Sequence, residues 1–107
     1  MVDFSLISDT YDKIGQHVVE TPLLESSFLS KRLNKRVLIK AECLQKTGSF
    51  KYRGSWSSFV NNDIKDLKKG VLAYSSGNHA QGIAAVSNEF KIQATIIMPK
   101  DAPRLKI

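Results

Sequence analysis

Two short stretches hold most of the residues able to do chemistry. The first is Thr47-Gly48-Ser49-Phe50-Lys51-Tyr52-Arg53-Gly54. Serine is a helix-capping residue, and a helix capped by Ser49 sets Lys51 in its first turn. The helix dipole there disfavours a cation, and Arg53 close by adds to that effect. An amine held neutral is what imine chemistry with an aldehyde requires. An ordinary surface lysine at a helix start has the same spacing, so this stretch alone leaves both readings open.

The second stretch is Ser75-Ser76-Gly77-Asn78-His79-Ala80-Gln81-Gly82. It follows a short apolar run and opens a helix, so free backbone N–H groups face outward at the strand's C-terminal end. Such a turn can hold a carboxylate or a phosphate. The hydroxyls of Ser75 and Ser76, the Asn78 amide and the His79 ring add donors, and ligands of open parallel sheets bind at that edge. A capped helix start without a ligand is the alternative. His79 could serve as a general base, a carboxylate donor or a cap. No cysteine, carboxylate or second histidine lies at ligand spacing, so no metal site is expected here. The Gly77–Gly82 spacing lacks the three-glycine dinucleotide pattern. His17 has no polar company and reads as structural.

The elements that must position these residues follow from periodicity. Ile7, Tyr11, Ile14 and Val18 form a helical stripe that Thr21-Pro22 should end. Ser26 can cap a short helix running to about Asn34. Arg36 to Leu44 reads as a strand, and Phe50 to Val60 as a helix with Tyr52, Trp56, Phe59 and Val60 on one side. Lys65, Lys68 and Lys69 fall in a loop-like stretch. Val71–Tyr74 reads as a buried strand, Asn78 to Phe90 as a helix presenting Ala80, Ile83, Ala84 and Ser87, and Gln93 to Met98 as a second buried strand. Strand, helix, strand is the unit of a parallel sheet. Two such strands make no stable sheet alone, so an incomplete α/β domain is expected.

The 107 residues suffice for one modest domain, with 42% hydrophobic and 24% charged residues as in ordinary globular chains. No apolar run approaches membrane-spanning length, and the N-terminus does not resemble a signal peptide. One cysteine, Cys43, permits no internal disulfide and reads as a small buried hydrophobe, with the reducing cytoplasm as the simplest compartment. The net charge of +6 is dispersed between Lys31, Arg32, Lys35 and Arg36 and the Lys65–Lys69 stretch. Neither group has interleaved aromatics, so nucleic acid is not an expected partner.

Taken together, the two stretches become specific. Lys40 through Gly54, with its Lys51, closely resembles the cofactor-lysine motif of fold-type II pyridoxal-phosphate enzymes. Ser75 through Gly82 resembles their substrate loop. Thr21-Pro22-Leu23, and Met98-Pro99-Lys100-Asp101-Ala102-Pro103 with Lys106, match in order and spacing. Sulfhydrylases and cystathionine synthases of this fold usually carry threonine where His79 stands. The form seen here resembles the branch of serine racemases and serine/threonine dehydratases, with a hydroxyaspartate dehydratase also similar.

The resemblance implies a tryptophan synthase β-like α/β fold, with parallel sheets flanked by helices. Residues 1–66 would begin the large, lysine-bearing domain and residues 67–107 the small, substrate-loop domain, both incomplete. Lys51 would bind pyridoxal 5'-phosphate as an imine and, once released, shuttle protons on one face of the substrate α-carbon. Phe50 would pack beside the cofactor ring and Asn78 would hydrogen-bond its phenolic oxygen. Ser75, Gly77, Asn78 and His79 would hold the substrate carboxylate. Ser76 would sit on the face opposite Lys51, as the second acid/base of racemases. The cofactor acts as electron sink, and loss of the α-proton leads either to β-elimination, giving a keto acid and ammonia, or to racemization. The family's phosphate loop, its ring-nitrogen partner and its divalent-cation ligands would come after residue 107. The stretch alone is therefore expected to be inactive, and a homodimer with a small amino-acid substrate is implied for the full-length protein. A short remnant without catalysis is the competing reading.

Overall fold

The computed structural model describes residues 3–104, so the Lys106 match lies outside the described residues. Helix α1 (Phe4–Ile14) starts at Asp3, whose carboxylate accepts the Leu6 N–H. It stops earlier than Thr21-Pro22 suggests, because Gly15–His17 tightens into a 3-10 turn that lays His17 flat on Trp56. Strand β1 (Leu23–Glu25) follows, then helix α2 (Ser27–Leu33), capped by Ser26 as the spacing predicts. Asn34 closes α2 in the left-handed region, and strand β2 (Leu38–Lys40) returns antiparallel to β1 with Leu24 opposite Ile39.

The strand expected over Arg36–Leu44 is thus only three residues long. After Ala41 the chain coils into a 3-10 turn, Glu42–Leu44, which turns Glu42 toward Arg53. The same coil leaves Cys43 exposed, not buried. Helix α3 (Lys51–Val60) and a short helix α4 (Ile64–Leu67), capped by Asp63, follow. The capped turn explains why the Lys65–Lys69 stretch is partly helical where a loop was expected.

Strand β3 (Val71–Tyr74), helix α5 (Asn78–Phe90) and strand β4 (Ala94–Ile97) form the anticipated crossover, with β3 and β4 parallel from Val71 opposite Ala94 to Tyr74 opposite Ile97. A helix covers one face of this pair only. Because side chains alternate along a strand, Leu72, Tyr74 and Ile97 stay exposed in strands expected to be buried.

Tyr52, Trp56 and Phe59 of α3 pack with Ile83 and Val86 of α5, and Ile14, Leu67 and Ile92 complete the cluster. On α5, Ala80, Ile83 and Ser87 are buried as helical spacing predicts, but Ala84 faces solvent. The reason is that α5 packs on α3 as well as on the sheet, which rotates the buried stripe toward Val86. Gly82 permits the approach of the two helices: a β-carbon there would lie 2.7 Å from Ser55 Oγ and 3.0 Å from the Lys51 carbonyl oxygen.

Candidate functional site

Lys51 is the first residue of α3. The chain reaches it through Thr47 and Gly48, both left-handed at φ 61° and 69°. Glycine adopts that conformation freely, whereas threonine pays on the order of 1–2 kcal/mol for it. The cost is borne because the turn reverses the chain between the 3-10 coil and the helix. Ser49 does not cap α3. It is extended and buried, its hydroxyl has no hydrogen-bond partner among the described residues, and Phe50 occupies the cap position without a capping side chain. The backbone breaks at Ser49, which is extended while Phe50 is already helical, and the Ser49 hydroxyl is buried where it bonds no helix N–H. The Lys51 ammonium nitrogen stands 5.3 Å from the centre of the largely exposed Phe50 ring.

Arg53, two residues on, is not the free cation that the sequence suggests beside Lys51. Its Nε and Nη2 donate to the two oxygens of Glu42, each at 2.9 Å, and Nη2 also donates to the Val19 carbonyl at 2.7 Å. Thr21 Oγ1 donates to Glu42 as well, at 2.5 Å. The Arg53 guanidinium, seconded by the Thr21 hydroxyl, holds the Glu42 carboxyl below the ordinary glutamate value against the opposing effect of burial. Gln45, buried, spans both backbone groups of Val19 at 2.9 Å. Glu42 and Gln45 both fall within the Lys40–Gly54 stretch that carries the lysine motif. The signal for Glu42 is a carboxylate within a segment whose apolar composition reads as a strand.

The second wall is built by β3 and α5. The Ser75 N–H donates to the Ile97 carbonyl, continuing the β3–β4 pairing one residue past the strand, and Ser75 Oγ accepts the Gly77 N–H at 3.2 Å. Helix α5 then begins at Asn78, with no side chain capping it from Gly77. The N-terminal end of α5 lies beside the end of β3, where the helix dipole favours an anion.

Between the walls lies a cleft of about 630 Å³. Lys51 enters from α3, and Ser75, Ser76 and His79 enter from the β3–α5 turn, over a floor of Tyr74, Ile97, Met98 and Pro99. The cleft thus gathers four of the residues singled out from the sequence. Gly77 and Asn78 belong to the same turn without lining the cleft, and Phe50 flanks it through its contact with Lys51. A primary amine facing hydroxyls, an imidazole and an uncapped helix end can hold an aldehyde-bearing anion or an amino acid carboxylate. A separate groove of about 410 Å³ between α1 and α3 is lined mainly by apolar side chains such as Leu6, Ile7 and Ile14. Among the described residues no cluster of histidine, cysteine and carboxylate side chains could hold a metal ion. No helix among them is long and apolar enough to cross a membrane.

Comparison with known proteins identifies the family of the chain. Residues 14–107 match the family described as pyridoxal-phosphate dependent enzyme. L-threo-3-hydroxyaspartate ammonia-lyase of Saccharomyces cerevisiae is 41% identical over 101 residues, which are 94% of this chain and 31% of that protein. L-threonine ammonia-lyase of Thermotoga maritima is 41% identical over 107 residues, all of this chain and 27% of that one. The crystal structure of serine racemase from Dictyostelium discoideum superimposes with a TM-score of 0.88 at 35% identity, covering 98% of this chain and 34% of the racemase. The chain thus spans about a third or less of the length of these relatives. Its α/β strand-helix-strand and paired short strands are part of their fold-type II architecture. With the family profile matching nearly nine-tenths of its length, this chain belongs to the pyridoxal-phosphate dependent enzymes.

Proposed function

We propose that this chain supplies the lysine-bearing wall and the carboxylate-binding wall of a pyridoxal-phosphate-dependent dehydratase, which converts L-serine or L-threonine to a keto acid and ammonia. The cleft that Lys51 shares with Ser75, Ser76 and His79 carries this reading. The ammonia-lyases among its relatives support the reaction class. The residues fit the cofactor by the chemistry of their donors: a lysine amine on one wall, and hydroxyls, an imidazole and an uncapped helix start on the other.

Bound in the cleft, pyridoxal phosphate supplies the electron sink that lets an amino acid lose its α-proton. Lys51 is the attachment point and the base that moves that proton at the substrate α-carbon. Phe50, beside Lys51, would border the cofactor ring, and Asn78, at the start of α5, would hold its phenolic oxygen. Ser75, Gly77, Asn78 and His79 hold the substrate carboxylate. Ile97, Met98 and Pro99 give the cleft an apolar edge beside these groups.

Serine racemization is the second reading, favoured by Ser76, a second proton-bearing group in the cleft that holds Lys51. Hydroxyaspartate dehydration is a variant of the first, supported by the yeast relative. Several features belong to the same proposal for a longer protein: a large domain begun by residues 1–66 and a small one begun by 67–107, a homodimer, a cytoplasmic setting and room for a divalent cation. The stretch by itself is then inactive.

The test is the intact mass of the natural-source protein after treatment with pyridoxal phosphate and borohydride, followed by peptide mapping and assay with serine, threonine and hydroxyaspartate. A chain heavier than 11.9 kDa with the adduct on Lys51 and keto acid formed supports the proposal. A chain of that mass without adduct identifies a non-catalytic remnant and overturns it.

A further inference from the structure

We propose that Glu42 and Arg53 are positioning residues for Lys51: their two-pronged pair fixes the roll of α3 and so the direction from which the lysine enters the cleft. The inference rests on the reading of Lys51 given above. Both residues lie outside the cleft lining.

Helix α3 is seated by an apolar face of Tyr52, Trp56 and Phe59. Apolar burial is non-directional, so its driving force does not by itself select one roll of the helix about its axis. A guanidinium fork on a carboxylate fixes two distances and a plane at once. Arg53 supplies that fork from the same first turn as Lys51, at 2.9 Å to each Glu42 oxygen. Glu42 is itself held. Thr21, buried, donates to it, and Arg53 and Gln45 converge on the Val19 carbonyl. The anchoring frame therefore comprises the Val19–Thr21 segment, the 3-10 coil and the start of α3.

A pair with side chains 23% and 15% exposed is poor evidence for stability, since desolvation offsets much of its attraction. Its value lies in geometry, and lysine cannot reproduce it.

The experiment uses the natural full-length protein and first establishes the borohydride-fixed adduct on Lys51. Arg53→Lys keeps the charge and removes the fork. Phe59→Leu, in the core at the far end of α3, serves as a variant that lowers stability without touching the clamp. For each, the circular dichroism of the bound cofactor, the rate of adduct formation and the urea midpoint are measured. Arg53→Lys is expected to weaken the cofactor's dichroism and slow adduct formation by about tenfold or more, as misplacing a reacting group does. Phe59→Leu is expected to lower the midpoint while keeping both signals.

Wild-type dichroism and rate in Arg53→Lys would overturn the proposal. So would the same deficit in Phe59→Leu at an equal loss of stability. If Arg53→Lys does not fold, Glu42→Gln, of equal size but uncharged, is judged by the same two signals. Absence of the adduct in the wild type would instead overturn the reading of Lys51, which separates the two failures.

Discussion

Replacing Gly82 by alanine tests how the two walls of the cleft are held together. The new β-carbon would stand 2.7 Å from Ser55 Oγ, 3.0 Å from the Lys51 carbonyl oxygen and 3.2 Å from its carbon, where ordinary contact begins at 3.4 Å. Two of these atoms are backbone, and the third is a short side chain whose hydroxyl donates to the Lys51 carbonyl at 3.0 Å. None is the free end of a flexible group, so α3 itself must retreat by a few tenths of an ångström. Overpacking of this kind costs about 1–3 kcal/mol. Alanine's better helix propensity returns about 1 kcal/mol. Losing the Ser55 hydrogen bond adds about 1 kcal/mol to the cost. The net expectation is a destabilisation of about 1–3 kcal/mol, with slower cofactor capture at Lys51.

The assay is urea unfolding of the full-length protein, paired with the rate of borohydride-trapped labelling. Ser55→Ala removes the closest atom, so the double variant should recover part of the loss, with a coupling of roughly 1 kcal/mol. A Gly82→Ala protein as stable as the wild type, with unchanged labelling, would refute the close-contact argument.

Three other outcomes are expected. Ser76→Ala should reduce racemization of serine by about a hundredfold or more while largely sparing keto acid formation, as removal of one of two proton carriers requires; chiral chromatography of the products measures it, and equal loss of both activities would count against the assignment. Glu42 is held below its ordinary value in the folded protein, so its contribution is complete above that ordinary value and is lost as the pH falls through the lower folded value. Urea midpoints measured down to pH 3 should therefore fall more steeply in the wild type than in Glu42→Gln, and parallel curves would contradict this. His17→Ala should cost about 1 kcal/mol by removing a ring stacked 4.0 Å from Trp56, against about 3–5 kcal/mol for Trp56→Ala. Equal unfolding midpoints for the two variants would show that the stack carries more than its geometry suggests.

The crossover in the second half was legible because its signals are local. The helix over Asn78–Phe90 begins after a serine-glycine turn and carries helical spacing throughout, and the flanking strands are short apolar runs. The first half depends on partners distant in sequence. Strand β1 is three exposed residues, Leu23–Glu25, and exists because β2 pairs with it. Glu42 and Cys43 sit in a stretch with a strand's composition, yet the demand of Arg53 for a carboxylate coils the chain there. Ser49 has the composition of a cap, but its hydroxyl is buried and bonds no helix N–H. The site residues were named from two local stretches and a family resemblance, and the cleft's lining joins Lys51 to three of them across the two walls. Their supports, Thr21, Glu42, Gln45, Ser55 and Gly82, act through contacts that local spacing does not reveal.

Trp56 is the chain's one tryptophan, and it lies in α3 five residues after Lys51. Its indole touches three other rings: His17 stacked on it, Phe90 tilted at 5.2 Å and Tyr52 edge-on. These rings come from the turn after α1, the end of α5 and α3 itself. Within this chain, intrinsic ultraviolet emission from Trp56 therefore reads the seating of the lysine helix, and its unfolding in denaturant can be followed without attaching any label.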